Sequence, residues 1–363
     1  MKKVLIIGPF PNPISGVALA NEVVKDVLDK SEEFTTETID TSYPIFQDAV
    51  GSFSFKKFIF FLQINYRVIK IIKNDIVYIT PGQTFFGITK YTLFILVSSL
   101  LKKELIIHVH GNYLGAQYKK LKGIKKHFFY FLISKFTKGI VLSNSLKQNL
   151  TPFIKEKNLY VLFNFAQNYL IDNDLKINTS GLKISYLSNL MEEKGIFYLL
   201  DALRELEVNN IPYKAKIAGN IDDSLKTTIN KKINDLKNTE YLGVVYGREK
   251  KELLEWSTIF VLPTFYKMEG QPISILEALA TENVIIATAH AGIPDIIKNR
   301  THGYIVKPKD SESILDSFLY LNSNKVKISE ISKNNKTYFT KNFTIEIFSK
   351  KIIKIFKENN ATT

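Results

Sequence analysis

Two glutamates eight residues apart, Glu269 and Glu277, mark the stretch of this 363-residue sequence best suited to do chemistry. They lie in TFYKMEGQPISILEALA (264–280), where Pro272 suits the first turn of a helix and Gly270 and Gln271 form the approach to it. The N–H groups at a helix start have no partner inside the helix, and the helix dipole favours negative charge there, so this is an anion site. Glu269 stands in the loop before the helix and Glu277 within it. Carboxylates cannot bind the anion itself. They accept hydrogen bonds from hydroxyls, such as those of a sugar or a ribose. Spacing alone leaves a second reading open, in which both glutamates only complement a helix N-terminus.

Other chemistries are thinner. The chain has no cysteine, which excludes disulfides, thiolate metal sites and cysteine nucleophiles. Asp172/Asp174 sit in a polar stretch and Asp222/Asp223 have the look of a helix N-cap, so no metal is expected. Lys194 stands just before a helix expected from about Gly195, where an exposed cation costs up to ~1 kcal/mol. A bound diphosphate would remove that conflict; otherwise the lysine extends into water beside Glu192 and Glu193. His110, followed by Gly111 at a strand's carboxyl end, is better placed for chemistry than His108, which lies deeper on the same strand face and reads as core.

The elements that must hold these residues alternate along the chain. Short apolar runs such as KVLIIG (3–8), DIVYIT (75–80), ELIIHVH (104–110), GIVLS (139–143) and LYVLFN (159–164) are separated by helix-like stretches. That rhythm predicts parallel sheets covered on both faces. It breaks in the polar stretch FAQNYLIDNDLKINTSGLK (165–183) and restarts with KISYLS (183–188). The predicted organisation is a first domain over 1–165, a linker over 166–182, a second domain over 183–341, and an amphipathic helix over 342–363 docked on a domain surface. The fold class is α/β, two Rossmann-like doubly wound parallel-sheet domains facing across a cleft, with the chemistry beyond the strands' carboxyl ends. Val4–Ile7 is too short an apolar run for a signal peptide. Phe85–Leu101, interrupted by Lys90, reads as one buried helix rather than a membrane span.

The spacing E-x7-E from Glu269 to Glu277 resembles the signature of family-4-type retaining glycosyltransferases, the glycosyltransferases group 1. LSNLMEEKGIFYLLDAL (187–203), ATAHAGIPDII (287–297), VHGN (109–112), SGVALANE (15–22), VLSNSLKQNL (141–150) and FNF (163–165) are similar to other segments of that family and keep its order. The resemblance implies a GT-B fold and transfer of a sugar from a nucleotide donor with retained anomeric configuration. It implies that Glu277 accepts hydrogen bonds from the ribose. Glu269 would hold the donor sugar, with the backbone of Gly270, Gln271, Pro272, Ile273 and Ser274 beside the sugar and phosphate. Lys194 would sit on the diphosphate, His110 would face the donor sugar, and Gly16 would let the first loop approach the donor. Where the family often has Gly-Arg, this chain has Ser188–Asn189, and Asn189 brings donors without charge. No cofactor is expected: Lys194 and the helix start would stabilise the leaving diphosphate without a metal.

Charge adds a partner. Residues 1–165 carry 22 basic against 11 acidic side chains, and residues 166–363 carry 27 against 24. The surplus gathers around Lys56, Lys57, Lys119, Lys120, Lys122, Lys125 and Lys126, interleaved with Phe, Ile and Tyr. Such a surface suits anionic lipid headgroups and a lipid-linked diphosphate acceptor, against the plainer reading of a solvated lysine face. With only four arginines, nucleic acid is not an expected partner. The expectation is a peripheral enzyme at the inner, cytoplasmic face of the membrane, moving a hexose or N-acetylhexosamine from a UDP-sugar to a polyprenyl-diphosphate-linked glycan for capsule, exopolysaccharide or O-antigen. The alternatives are a nucleotide-sugar epimerase or hydrolase of the same fold, and a catalytically silent partner subunit.

Overall fold

The computed structural model describes residues 1–11, 15–43, 59–60, 63–171 and 181–358. The chain forms two compact units, one made of Met1–Phe163 and the segment from Phe348 onward, the other of Asn164–Ile347.

The first unit is built on a six-stranded sheet: β1 (Lys2–Gly8), β2 (Phe34–Asp40), β3 (Ile76–Ile79), β4 (Glu104–Val109), β5 (Lys138–Val141) and β6 (Leu159–Val161). Their order is β2-β1-β3-β4-β5-β6, with every pair parallel. Val4, Leu5, Ile6 and Ile7 are all fully buried, so β1 is covered on both faces as its unbroken apolar run requires. The chain leaves β1 first to one side and then to the other. Right-handed crossovers therefore place helices on both faces, and a switch point opens between β1 and β3. Gly8 ends β1 there, where a Cβ would lie 2.0 Å from Thr80 Oγ1 and 2.5 Å from Asn21 Nδ2.

The second unit repeats the plan with β7 (Leu182–Leu187), β8 (Tyr213–Ala218), β9 (Thr239–Tyr241), β10 (Ile259–Leu262), β11 (Val284–Thr288) and β12 (Gly303–Val306). Their order, β12-β11-β10-β7-β8-β9, puts the switch point between β7 and β10. Those two strands run directly into the segments holding Lys194 and Glu269.

Several expectations change. Strand β2 went unread because FTTETID is polar apart from Phe34 and Ile39, as an edge strand with one partner tolerates. The stretch from Phe85 is two helices, Phe85–Thr89 and Thr92–Leu100, parted where Tyr91 turns inward to meet Thr41. The helix-like stretch between β4 and β5 is likewise two helices, Leu114–Lys120 and Gly123–Ile133, the second opening at Gly123 with φ +54°. Among the described residues, no helix is long and apolar enough to cross a membrane. The units divide at Phe163/Asn164 because Asn164 is bound to Gln271 of the second unit. Within the stretch read as a linker, Asn168–Leu170 form a 3-10 turn, while residues 172–180, with Asp172 and Asp174, lie outside the described residues.

The last helix, Ile345–Lys357, buries Phe348, Ile352, Ile355 and Phe356. From Phe348 it belongs to the first unit, where Phe356 meets the rings of Phe34 and Tyr78 at 6.0 and 5.7 Å.

Candidate functional site

In the second unit, Lys194 and Glu269 come together at the switch point. Lys194 closes a 3-10 turn, Glu192–Lys194, and the helix Ile196–Val208 follows from Gly195. Gly195 has φ +82°, and a Cβ there would lie 2.4 Å from the Pro263 carbonyl oxygen. Only glycine lets the segment after β7 press this closely on the end of β10. The contact is stitched by Phe265 N–H donating to the Glu193 carbonyl at 2.8 Å. Lys194 Nζ then lies 2.6 Å from Glu269 Oε2, and the Tyr266 ring centroid lies 5.1 Å from the same ammonium. Buried Thr264 shares its hydroxyl between Glu269 Oε2 at 3.0 Å and the Glu193 carbonyl at 3.2 Å.

Glu277 has a cation of its own. Lys250, on the helix Gly247–Trp256, places Nζ 2.5 Å from Glu277 Oε1, with Glu277 buried on the helix Ile273–Ala280. Burial works against the Lys250 charge, but Glu277 outweighs it and holds the ammonium above the usual lysine range. The Tyr169 ring lies 5.8 Å from Lys250 Nζ and is part exposed. The Lys250 contact was not legible in the sequence. Lys250 and Lys251 are neighbours in a Lys/Glu-rich helix, and no spacing separates them from surface charge.

The helix start itself differs slightly from expectation. Pro272 is the cap, extended at ψ 119°, and the helix begins at Ile273. Ile273 and Ser274 are part exposed, while Gly270 and Gln271 are buried. Gln271 serves as a brace: its Oε1 accepts from Asn164 N–H at 2.6 Å, and its carbonyl accepts from Asn164 Nδ2 at 2.9 Å. Asn189 is exposed, and its carbonyl accepts from Tyr186 OH at 3.1 Å. His290 Nε2 lies 2.8 Å from the Tyr266 carbonyl, a support to the loop that drew no expectation. Asp222 caps its turn, its Oδ1 accepting from Ser224 N–H at 3.0 Å. Among the described residues, no three His, Asp or Glu side chains gather as metal ligands.

The first unit holds the remaining residues. Gly16 opens the helix Gly16–Asp29, capped by Ser15 Oγ accepting from Ala18 N–H at 3.1 Å. His110 follows β4, its ring 4.0 Å from that of fully buried His108. Burial holds His110 down at about 4, and His108 well below the usual histidine value. Both imidazoles are therefore neutral at physiological pH. Lys119, Lys120, Lys122 and Lys125 are exposed and Lys126 half-buried; Ile124 between them is 88% exposed. Lys56 and Lys57 lie outside the described residues.

Residues 169–338, which include Lys194, Lys250, Glu269 and Glu277, match the family model described as Glycosyl transferases group 1. The second unit belongs to the glycosyl transferases group 1 family. The chain is similar to the Amylovoran biosynthesis glycosyltransferase AmsK of Erwinia amylovora, 28% identical over 147 residues, 39% of this chain and 36% of AmsK. The chain thus spans about a third of the length of several curated relatives it matches, 36% in each. A longer match, 27% identical over 304 residues, covers 77% of this chain and 74% of the UDP-Gal:alpha-D-GlcNAc-diphosphoundecaprenol alpha-1,3-galactosyltransferase of Escherichia coli. The solved structure of Anabaena Alr3699/HepE in complex with UDP and glucose superposes with a TM-score of 0.73 at 14% identity, covering 99% of this chain and 100% of that one. At that identity the likeness carries the fold, the α/β GT-B class with its two doubly wound parallel sheets.

Proposed function

We propose that this chain is a retaining glycosyltransferase that moves a hexose or N-acetylhexosamine from a UDP-sugar to a polyprenyl-diphosphate-linked glycan in surface polysaccharide biosynthesis. The Lys194–Glu269 pair at the β7/β10 switch point is the observation that carries this reading. The one group holds a cation for a diphosphate and the other a carboxylate for sugar hydroxyls, and in the free protein each neutralises the other. Donor binding exchanges partners: the diphosphate takes Lys194, and Glu269 turns to the sugar.

In the transfer, the bond from the anomeric carbon to the β-phosphate oxygen breaks, and its electron pair stays on the diphosphate. The acceptor hydroxyl oxygen bonds to that carbon on the same face, and its proton passes to the departing phosphate oxygen. Lys194 and the N–H groups at the start of the Ile273–Ala280 helix stabilise the growing negative charge, so no metal is required. Glu277, held by Lys250, accepts from the ribose hydroxyls. The UDP donor and the lipid-linked acceptor are supported by the relatives, one named for a UDP-Gal and diphosphoundecaprenol reaction and one solved with UDP and glucose.

The acceptor's lipid suits the exposed lysines of the first unit and the exposed Ile124, Tyr130 and Phe131 beside them. We place the enzyme peripherally on an anionic, cytoplasm-facing membrane surface on that ground. Nucleotide release from a panel of UDP- and GDP-sugars, with and without a polyprenyl-diphosphate glycan, tests the proposal. Acceptor-dependent release of UDP, lost in Glu277→Ala, supports it. Conversion of the donor without acceptor would instead indicate an epimerase or hydrolase, and absence of donor binding a silent subunit.

A further inference from the structure

His110 and His108 each keep a buried Nε2 that has no hydrogen-bond partner. A buried ring nitrogen left unpaired is costly unless a ligand completes it, so how the His110 ring is held matters as much as its presence. The rings of the pair are 4.0 Å apart and tilted by 37°. Beneath them, Tyr78 OH lies 2.6 Å from His108 Nδ1. Burial keeps the Tyr78 phenol protonated and the His108 ring neutral, so the two share one hydrogen bond whose direction follows the His108 tautomer.

The Tyr78 ring in turn rests on Phe356 of the last helix, which also meets Phe34. The end of that helix is fastened next to Phe356 by Lys138, a fully buried lysine on β5. Its ammonium donates to the carbonyls of Ile355, at 2.8 Å, and Glu358, and forms an ion pair with Glu104 Oε1 at 2.5 Å. Lys138 thus meets the last helix turn's carbonyls, the group a helix C-terminus favours. Glu104 opens β4, the strand that carries His108 and leads to His110.

We propose that Tyr78 and His108 are positioning residues for His110, and that the last helix holds them in register through Phe356 and Lys138. The contacts form one packed series inside the first unit: Lys138 to the helix end, Phe356 to Tyr78, Tyr78 to His108, His108 to His110. A segment more than two hundred residues away in sequence thereby sets the ring that the family resemblance would turn toward the donor sugar. The positioning stands on these contacts, and its consequence for turnover rests on the sugar-facing reading of His110.

The test is NMR of the full chain with labelled histidines, free of ligand, beside steady-state kinetics. Tyr78→Phe removes one oxygen and keeps the ring. It should change the His108 tautomer signature and shift the His110 ring signals. It should also lower kcat, by up to ~10²-fold for a misplacement near 1 Å, with little change in donor KM. Phe356→Leu, which keeps the position apolar, should shift the same signals in a chain whose circular dichroism is unchanged. His110 ring signals that stay in place in both folded variants would overturn the proposal. His110→Ala serves as the separate control: undiminished turnover there removes the sugar-facing role of His110, while the spectra still decide the positioning.

Discussion

Lys194 and Glu269 lie 2.6 Å apart although 75 residues separate them in the sequence. Each stands in the segment that follows one of the two strands flanking the second unit's switch point, β7 and β10. Gly195 and Pro263 make this approach possible, and Thr264 fixes the carboxylate. With side-chain exposures of 15% and 9%, the pair is nearly withdrawn from water, so removing one partner leaves the other with little solvent to replace it.

Lys194→Ala should therefore act twice. Nucleotide release should fall about 10²- to 10³-fold, the scale seen when one donor to a developing oxyanion is deleted. Stability should fall by about 1–3 kcal/mol, because Glu269 keeps only the Thr264 hydroxyl. Lys194→Arg should recover the stability more fully than the rate, since a planar fork does not reproduce a point charge. Urea melts read beside single-turnover rates separate the two effects.

Glu277→Gln should weaken UDP binding more than it weakens the chemical step. Hydrogen bonds to a charged acceptor contribute about 1.5–3 kcal/mol each, so a loss of roughly tenfold to a hundredfold in affinity is expected by titration calorimetry. Lys250→Met should weaken UDP binding in the same direction through the unpaired Glu277. Equal UDP affinity in both variants and the parent would remove Glu277 from the nucleotide site.

The candidate segments were legible because the family-like spacing and the strand ends coincide: Lys194 and Glu269 follow strands β7 and β10, and Glu277 lies within the helix Ile273–Ala280. Lys250 was not, since its contact to Glu277 is made in three dimensions by a helix whose sequence reads as ordinary surface. Nor was the brace between Gln271 and Asn164, which needs a backbone N–H and a carbonyl that sequence does not distinguish. Strand β2 was missed because an edge position relaxes the demand for apolar residues, and the two broken helices because Tyr91 and Gly123 act through burial and backbone angle. The alternation of strand and helix survives all of these, being a property of whole segments rather than of single contacts.

The buried histidines predict an acid-sensitive fold. His110 and His302 are held at about 4 by burial, and His108 is lowered too, whereas an unfolded histidine binds its proton near pH 6.5. Between these values the unfolded chain binds more protons than the folded one. Their contribution is therefore full above about pH 6.5 and is lost as pH falls toward 4, by up to about 1.4 kcal/mol per pH unit for each histidine. Urea midpoints at pH 7 and pH 5 check this, and an His302→Gln variant should flatten the second unit's share. Identical midpoints would contradict it.

Sedimentation with vesicles tests the membrane surface. Replacing Lys122 and Lys125 by alanine should weaken binding to anionic vesicles by ~1 kcal/mol per lysine, about fivefold each, and leave neutral vesicles unaffected. The effect should shrink as salt rises. UDP affinity should not change, as both lysines lie in the first unit, outside the Lys194–Glu269 and Glu277–Lys250 pairs.

The most direct measurement is the anomeric configuration of the product formed from a UDP-α-sugar and a polyprenyl-diphosphate glycan, read by the proton coupling at the new glycosidic carbon. Retaining transfer through the Lys194–Glu269 site gives an α-linked product whose formation disappears in Lys194→Ala. A β-linked product, or α-linked product formed at the parental rate in Lys194→Ala, would contradict it.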